Sequence, residues 1–353
     1  MKENLLSIDS LTVGYKTDKG ALTALNSVSL DIRNDEFLAI VGESGCGKST
    51  LALAIIGLLP KSSEVKSGSI TYEGNNLLSL NQDQMRRFRG TKISMIFQEP
   101  LSSLNPVYKI SRQMAEAISL RDSRKDGASQ EGNVMQKAYR TDQPLGKRIP
   151  RPGRRMPSYV EDEIIHWLNM VRISDPEQIL DRYPFELSGG MRQRIMIAMA
   201  LSQEPSLLIA DEPTTALDVT TQAQVLKLMR ELMKKVNTSI ALITHDLAVA
   251  AQVADRVLVM YAGEVVEDAN VLDLYSEPMH PYAKGLLACI PTGTKDGSTI
   301  NAIPGSVPDL RKAMAGCLFA PRCPYAFDRC HVNAPAWLEP KADHKVRCFL
   351  YDK

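Results

Sequence analysis

The 353-residue chain carries 42 Lys and Arg against 41 Asp and Glu, a formal net charge of +1, with 44% apolar and 24% charged residues. That length accommodates one substantial domain plus an appendage with a real core, and no global charge argues for nucleic acid. The longest apolar run, Leu51 to Leu59, is interrupted by Gly57 and ended by Pro60, short of the ~18–20 residues a membrane-spanning helix needs. Met1-Lys2-Glu3-Asn4 lacks the apolar core of a signal peptide, so the chain is expected to stay in the cytosol, with any membrane role peripheral.

In chain order, the runs Leu5–Val13, Leu25–Ile32 and Phe37–Val41 predict strands. The third leads straight into Gly42-Glu43-Ser44-Gly45-Cys46-Gly47-Lys48-Ser49-Thr50 and a helical stretch from Ser49. A strand, a Gly-rich loop and a helix fit the phosphate-loop pattern G-x-x-x-x-G-K-[ST]. The glycines let backbone N–H groups turn inward on the β- and γ-phosphates, the helix points its positive end there, and Lys48 adds a point charge. Ser49 is positioned in the motif to hold Mg²⁺.

Further strands are predicted at Ser69–Tyr72 and Ile93–Phe97, the latter followed by Gln98. Residues 121 to 159 then break the pattern with ten Lys or Arg against four Asp or Glu, and with five Gly and Pro between 144 and 153. This reads as a basic insertion of low intrinsic order, a solvated loop in preference to a surface for anionic lipid head groups. In Leu187-Ser188-Gly189-Gly190-Met191-Arg192-Gln193, Ser188 can cap a helix continuing through Ile195 to Leu201, while Gly189 and Gly190 allow close approach of backbone to a phosphate. The apolar strand Leu207–Ala210 ends on two carboxylates. Asp211 lies at the C-terminal edge of that strand and suits Mg²⁺, while Glu212 suits the polarisation of an attacking water. Val225, Leu228, Met229, Leu232 and Val236 recur at helical spacing, and strands are predicted at Ile240–Thr244, before His245, and at Val257–Tyr261. Strands alternating with helices imply a parallel sheet covered on both faces.

After Glu277, prolines punctuate a distinct C-terminal extension, and four of the six cysteines, Cys317, Cys323, Cys330 and Cys348, crowd into it. In a reducing compartment a local set of cysteines reads as a metal or cluster site before it reads as disulfides. Their C-x5-C-x6-C-x17-C spacing is compact enough for one four-Cys site but unlike the short paired spacings of zinc ribbons. Cys46 reads as a small filler in the loop and Cys289 as a core residue.

The segment Leu187–Gln193 closely resembles the LSGGQ signature of ABC ATPases, with Met191 departing from the usual Gln, and it stands upstream of Asp211 and Glu212 as in that family. The resemblance covers about residues 1–270 and implies roles for further residues. Tyr15 stacks on adenine, Gln98 contacts Mg²⁺ and the attacking water, Asp218 ends the D-loop, and His245 contacts the γ-phosphate. It implies an α/β fold: a P-loop ATPase with a mixed N-terminal β subdomain, a parallel-sheet core, a helical signature subdomain and a small Cys-rich extension over 271–353. It further implies that two ATPase subunits, expected to be a heterodimer, join head to tail with ATP between one phosphate loop and the other's Ser188-type signature. Two membrane-spanning permease subunits and an extracytoplasmic solute-binding protein complete such an assembly, at the cytoplasmic face of the membrane.

The segments His280-Pro281-Tyr282-Ala283-Lys284-Gly285-Leu286-Leu287, Ile303-Pro304-Gly305 and Gly316-Cys317 to Cys330 resemble the tail of peptide-permease ATPase subunits. This implies dipeptides or oligopeptides as cargo, with oligosaccharide or nickel importers, and a soluble ABC ATPase outside transport, as the alternatives. It also implies a [4Fe–4S] cluster on Cys317, Cys323, Cys330 and Cys348, with zinc, or free or disulfide-linked thiols, as alternatives. Such a site would act as a structural staple in a tail with few apolar residues.

Overall fold

A computed structural model describes residues 3–18, 20–98, 103–128, 156–215, 217–290, 303–311 and 315–352. Its strands are β1 (Asn4–Thr17), β2 (Gly20–Arg33), β3 (Phe37–Val41), β4 (Ser63–Tyr72), β5 (Asn75–Asn76), β6 (Ile93–Ile96), β7 (Leu207–Asp211), β8 (Ser239–Thr244), β9 (Arg256–Tyr261), β10 (Glu264–Asn270), β11 (Leu338–Lys341) and β12 (His344–Val346). The chain divides into two compact units, one formed by residues 1–81 with 239–353 and the other by 82–238.

In the first unit β2, β1, β4 and β5 form an antiparallel sheet in that order. One row of it is apolar and buried, including Leu6, Ile8, Leu11, Val13, Leu25, Val28 and Ile32, the alternation expected of a half-buried sheet. A second set of strands has β3 paired in parallel with both β8 and β9. Every residue of these three strands is buried, which is why they read as unbroken apolar runs rather than alternating ones. β10 runs antiparallel to β9, β12 antiparallel to β10, and β11 antiparallel to β12. The C-terminal extension thus adds strands beside the parallel core.

A buried carboxylate fastens that addition. Glu267 of β10 and His344 of β12 are both fully buried and lie 2.7 Å apart through His344 Nε2. Glu267 also accepts the backbone N–H groups of Met279 and His280, at 2.7 and 2.8 Å. Satisfying a buried carboxylate in this way avoids the penalty of an unpaired charge.

In the second unit β6 and β7 pair in parallel, and the helices Ile110–Ala128, Ser158–Met170, Gly189–Leu201 and Val219–Val236 provide most of the remainder. Val219–Val236 buries Val225, Leu226, Leu228, Met229, Leu232 and Met233 on one stripe, and ends at Asn237, whose φ of 52° is the left-handed stop. The basic insertion expected over 121–159 lies outside the described residues from 129 to 155. On its described flanks, residues 121–128 and 158–159 are helical. Arg121 is buried and ion-paired with Asp122 and Glu163, and it donates to the Ser202 carbonyl, so its charge binds helices together rather than facing solvent. Among the described residues no helix is long and apolar enough to cross a membrane.

Candidate active site

The loop after β3 has the shape its sequence requires. Gly47 has φ +104°, and a Cβ there would lie 2.6 Å from the Ala24 carbonyl oxygen. A Cβ on Gly42 would lie 2.2 Å from the Met260 carbonyl oxygen. Lys48 is buried, and its ammonium donates to the carbonyls of Gly42 and Glu43 at 2.7 and 2.9 Å. Ser44, Gly45 and Ser49 are exposed at the loop surface. Cys46 is 1% exposed, and burial pushes its thiol pKa up despite the opposing Lys48 charge. It therefore behaves as filler, not as a reactive thiol.

Tyr15 is half-buried, and its hydroxyl shares a 3.2 Å hydrogen bond with Thr50 Oγ1, so the aromatic side chain is tied to the end of the loop rather than lost in the core. His245 is exposed directly after β8, where Asp246 caps the helix Leu247–Val253 through the N–H groups of Ala248 and Val249. Sequence reasoning missed two partners of the loop. The Glu43 N–H donates to the Tyr282 hydroxyl at 2.9 Å, and the Glu43 carboxylate accepts both Nη groups of Arg322 at 2.8 and 3.0 Å. No spacing signals these contacts, because the last pair is separated by 279 positions.

In the second unit, β7 is wholly buried and delivers Asp211, 4% exposed, at its end. Glu212 follows with φ 45°, a left-handed conformation that is strained for a non-glycine residue and concentrates at functional sites. Its Oε2 accepts from Gln98 Nε2 at 3.0 Å and from Thr215 Oγ1 at 3.1 Å. The two residues expected to handle the attacking water are therefore brought together across 114 positions. Ser188 caps Gly189–Leu201 by accepting the Met191 N–H at 3.3 Å. A Cβ on Gly190 would meet Thr221 at 2.8 Å, which accounts for the second glycine. Asp218 caps Val219–Val236 through the Thr221 N–H at 3.0 Å, and hydrogen bonds from this turn hold its carboxyl below the usual range.

Residues 25–215 match the ABC transporter family, and residues 266–330 match the C-terminal region of oligopeptide/dipeptide transporters. The chain belongs to the ABC transporter ATP-binding subunits. It is 45% identical over 99% of its length to the oligopeptide transport ATP-binding protein AppD of Bacillus subtilis (strain 168), covering 97% of that protein. It is 43% identical over 99% of its length to the dipeptide transport ATP-binding protein DppD of the same organism, covering 96% of that protein. A solved dimeric structure of the ATP-binding cassette MJ0796 in a post-hydrolysis state with ADP and Pi is 26% identical, with a TM-score of 0.57 over 75% of this chain and 98% of that one. The ABC subunit is thus an ATPase, and ATP with Mg²⁺ is what it acts on.

The tail of this ABC ATPase gathers Cys317, Cys323, Cys330 and Cys348 around one small apolar cavity, which His280, Phe319 and Phe349 also line. None of the four is in a disulfide. Burial pushes the Cys317 thiol up to about 11, and the charges of Cys330 and Cys348 push it the same way. Cys323 and Cys348 are raised for the same first reason. Among the described residues, however, no group of three or more His, Cys, Asp or Glu side chains is placed to hold a metal ion. Neither the iron–sulfur nor the zinc reading therefore finds a ligand set among the described residues. What both readings have in their favour is the cavity that the four thiols share.

Proposed function

We propose that the chain is the ATP-hydrolysing subunit of an importer for dipeptides or oligopeptides, working at the cytoplasmic face of the membrane. The observation that carries this reading is its similarity over 99% of its length, tail included, to a protein named for oligopeptide transport. Residues 1–270 are the nucleotide-binding domain in this proposal and 271–353 its extension. Tyr15 stacks on adenine, while Lys48 and the N–H groups of residues 42–50 hold the phosphates. Ser49, Gln98 and Asp211 hold Mg²⁺, which neutralises charge on the phosphate oxygens. Glu212 takes the proton of the attacking water, Gln98 orients that water, and His245 contacts the γ-phosphate. Ser188, Gly189, Gly190 and Asp218 serve the nucleotide of a second ABC ATPase subunit, in a head-to-tail heterodimer. Two permease subunits carry the cargo, delivered by a solute-binding protein.

The test is uptake of labelled peptides in cells with and without the chain, together with ATP hydrolysis by the assembled transporter in vesicles. Stimulation of hydrolysis by peptides is expected; stimulation by an oligosaccharide or by nickel in their place refutes the cargo.

We further propose that the four tail cysteines hold a [4Fe–4S] cluster, one thiolate to each iron. What supports this is the set of four unbridged cysteines sharing one apolar cavity. When bound, the cluster supplies cross-linking and folding energy to the tail. Anaerobically purified protein is expected to be brown and to contain iron and sulfide, with both lost in Cys323→Ser. Colourless protein without iron overturns this part of the reading.

A further inference from the structure

Arg322 lies one residue before Cys323, in the short turn Ala320–Arg322, and its side chain is 6% exposed. A guanidinium has five N–H donors in a fixed fork, and here each has an acceptor. Nε donates to the Pro304 carbonyl at 2.9 Å. Nη1 donates to Glu43 Oε2 at 2.8 Å and to the Tyr261 hydroxyl at 3.4 Å. Nη2 donates to Glu43 Oε1 at 3.0 Å and to the Ile303 carbonyl at 3.4 Å. Gly305 is at φ +78°, and a Cβ there would lie 3.3 Å from Arg322 Cγ. Lysine, a point charge on a flexible stem, reproduces neither the fork nor its fit.

At the other end of this fork is the second residue of the phosphate loop. The Glu43 carbonyl receives the Lys48 ammonium at 2.9 Å, its N–H is held by Tyr282, and its carboxylate is held by Arg322. Phe319 packs against Tyr261 and Tyr282 with ring centroids 5.2 and 5.5 Å away, so both tail contacts come from one packed block. An unpaired carboxylate at this position would face the negative charge of a bound triphosphate in a site only partly open to water, where like charges repel strongly.

We propose that Arg322, assisted by Tyr282, is a positioning residue for ATP: it cancels the negative charge that Glu43 brings to the phosphate loop and pins the first turn of that loop. The tail is then part of the nucleotide site, and its integrity sets ATP affinity. This rests on the loop being the ATP site.

A charge cycle tests it, with binding of a non-hydrolysable ATP analogue measured by calorimetry and KM and kcat measured on the assembled transporter. Arg322→Ala is expected to weaken binding about tenfold, the scale of one uncompensated charge in a partly exposed site, and to act on KM more than on kcat. Glu43→Gln in the Arg322→Ala background is expected to restore most of the loss, because the charge to be cancelled is gone. Unchanged affinity in Arg322→Ala overturns the proposal, and so does a loss that Glu43→Gln fails to restore, since a purely structural Arg322 gives that result. If Arg322→Ala does not fold by thermal melting, Arg322→Gln, which keeps the side-chain stem, replaces it in the same cycle. Wild-type protein that binds no analogue sinks the ATP-site reading instead.

Discussion

Replacing Arg256 by Met tests how the first unit holds its phosphate loop in place. Arg256 opens β9 with a side chain 4% exposed, and donates to Glu36 Oε1 at 2.9 Å, to Asp268 Oδ2 at 2.9 Å and to the Asp31 carbonyl. Glu36 precedes β3, Asp31 belongs to β2 and Asp268 to β10, so one guanidinium joins the parallel core to the N-terminal sheet. Met keeps much of the buried stem but removes the charge. Glu36, 4% exposed at its side chain, and Asp268, 14% exposed, then lose their shared buried cation. Breaking a buried pair by deleting one partner destabilises by about 3–5 kcal/mol, a large share of the roughly 5–15 kcal/mol that holds a domain folded.

The pH dependence of that loss has a definite sign. Burial already pushes the Asp268 carboxyl up while Arg256 is present, and without Arg256 it rises further above its unfolded value. The native variant then binds more protons than its unfolded chain between those two values, so its stability falls as pH rises through the native pKa. Urea denaturation at pH 5 and pH 7.5 is expected to show about 4 kcal/mol lost at pH 7.5 and a smaller loss at pH 5. A loss below about 1 kcal/mol at pH 7.5, or a gap that does not widen with pH, refutes the reasoning.

Glu212→Gln keeps the acceptor for Gln98 and Thr215 but not the base, so hydrolysis is expected to fall by about 10²–10⁴-fold while ATP binding, measured by calorimetry, persists. Gly47→Ala places a Cβ 2.6 Å from the Ala24 carbonyl oxygen at a left-handed φ, and is expected to abolish ATP binding and lower the melting temperature; normal binding would show that the loop relaxes freely. Cys46, buried and with its thiol pKa raised, should resist iodoacetamide at pH 7.5 in the native protein and react after denaturation in urea, as read by mass spectrometry. Rapid native labelling would contradict its role as filler.

The sequence was informative wherever a contact closes within a few residues. The phosphate loop, the Ser188 cap on the Met191 N–H and the buried run into Asp211 depend on local backbone geometry, and all appear where the motifs place them. The amphipathic stripe of Val219–Val236 was legible for the same reason: helical periodicity alone puts Val225, Leu228, Met229 and Leu232 on one face. The tail was harder to read. β12 is only His344–Val346, too short to show a periodicity, and it becomes a strand because β10 offers an edge and Glu267 receives His344.

By itself, then, the sequence determined the family, the order of the motifs and the chemistry each can perform, since those depend on residue type and short-range geometry. Only the tertiary structure decided which distant groups share a charge or a proton. Gln98 meets Glu212 across 114 positions and Arg322 meets Glu43 across 279. Such pairs are selected by the packing of whole elements, and no local propensity in the chain encodes them.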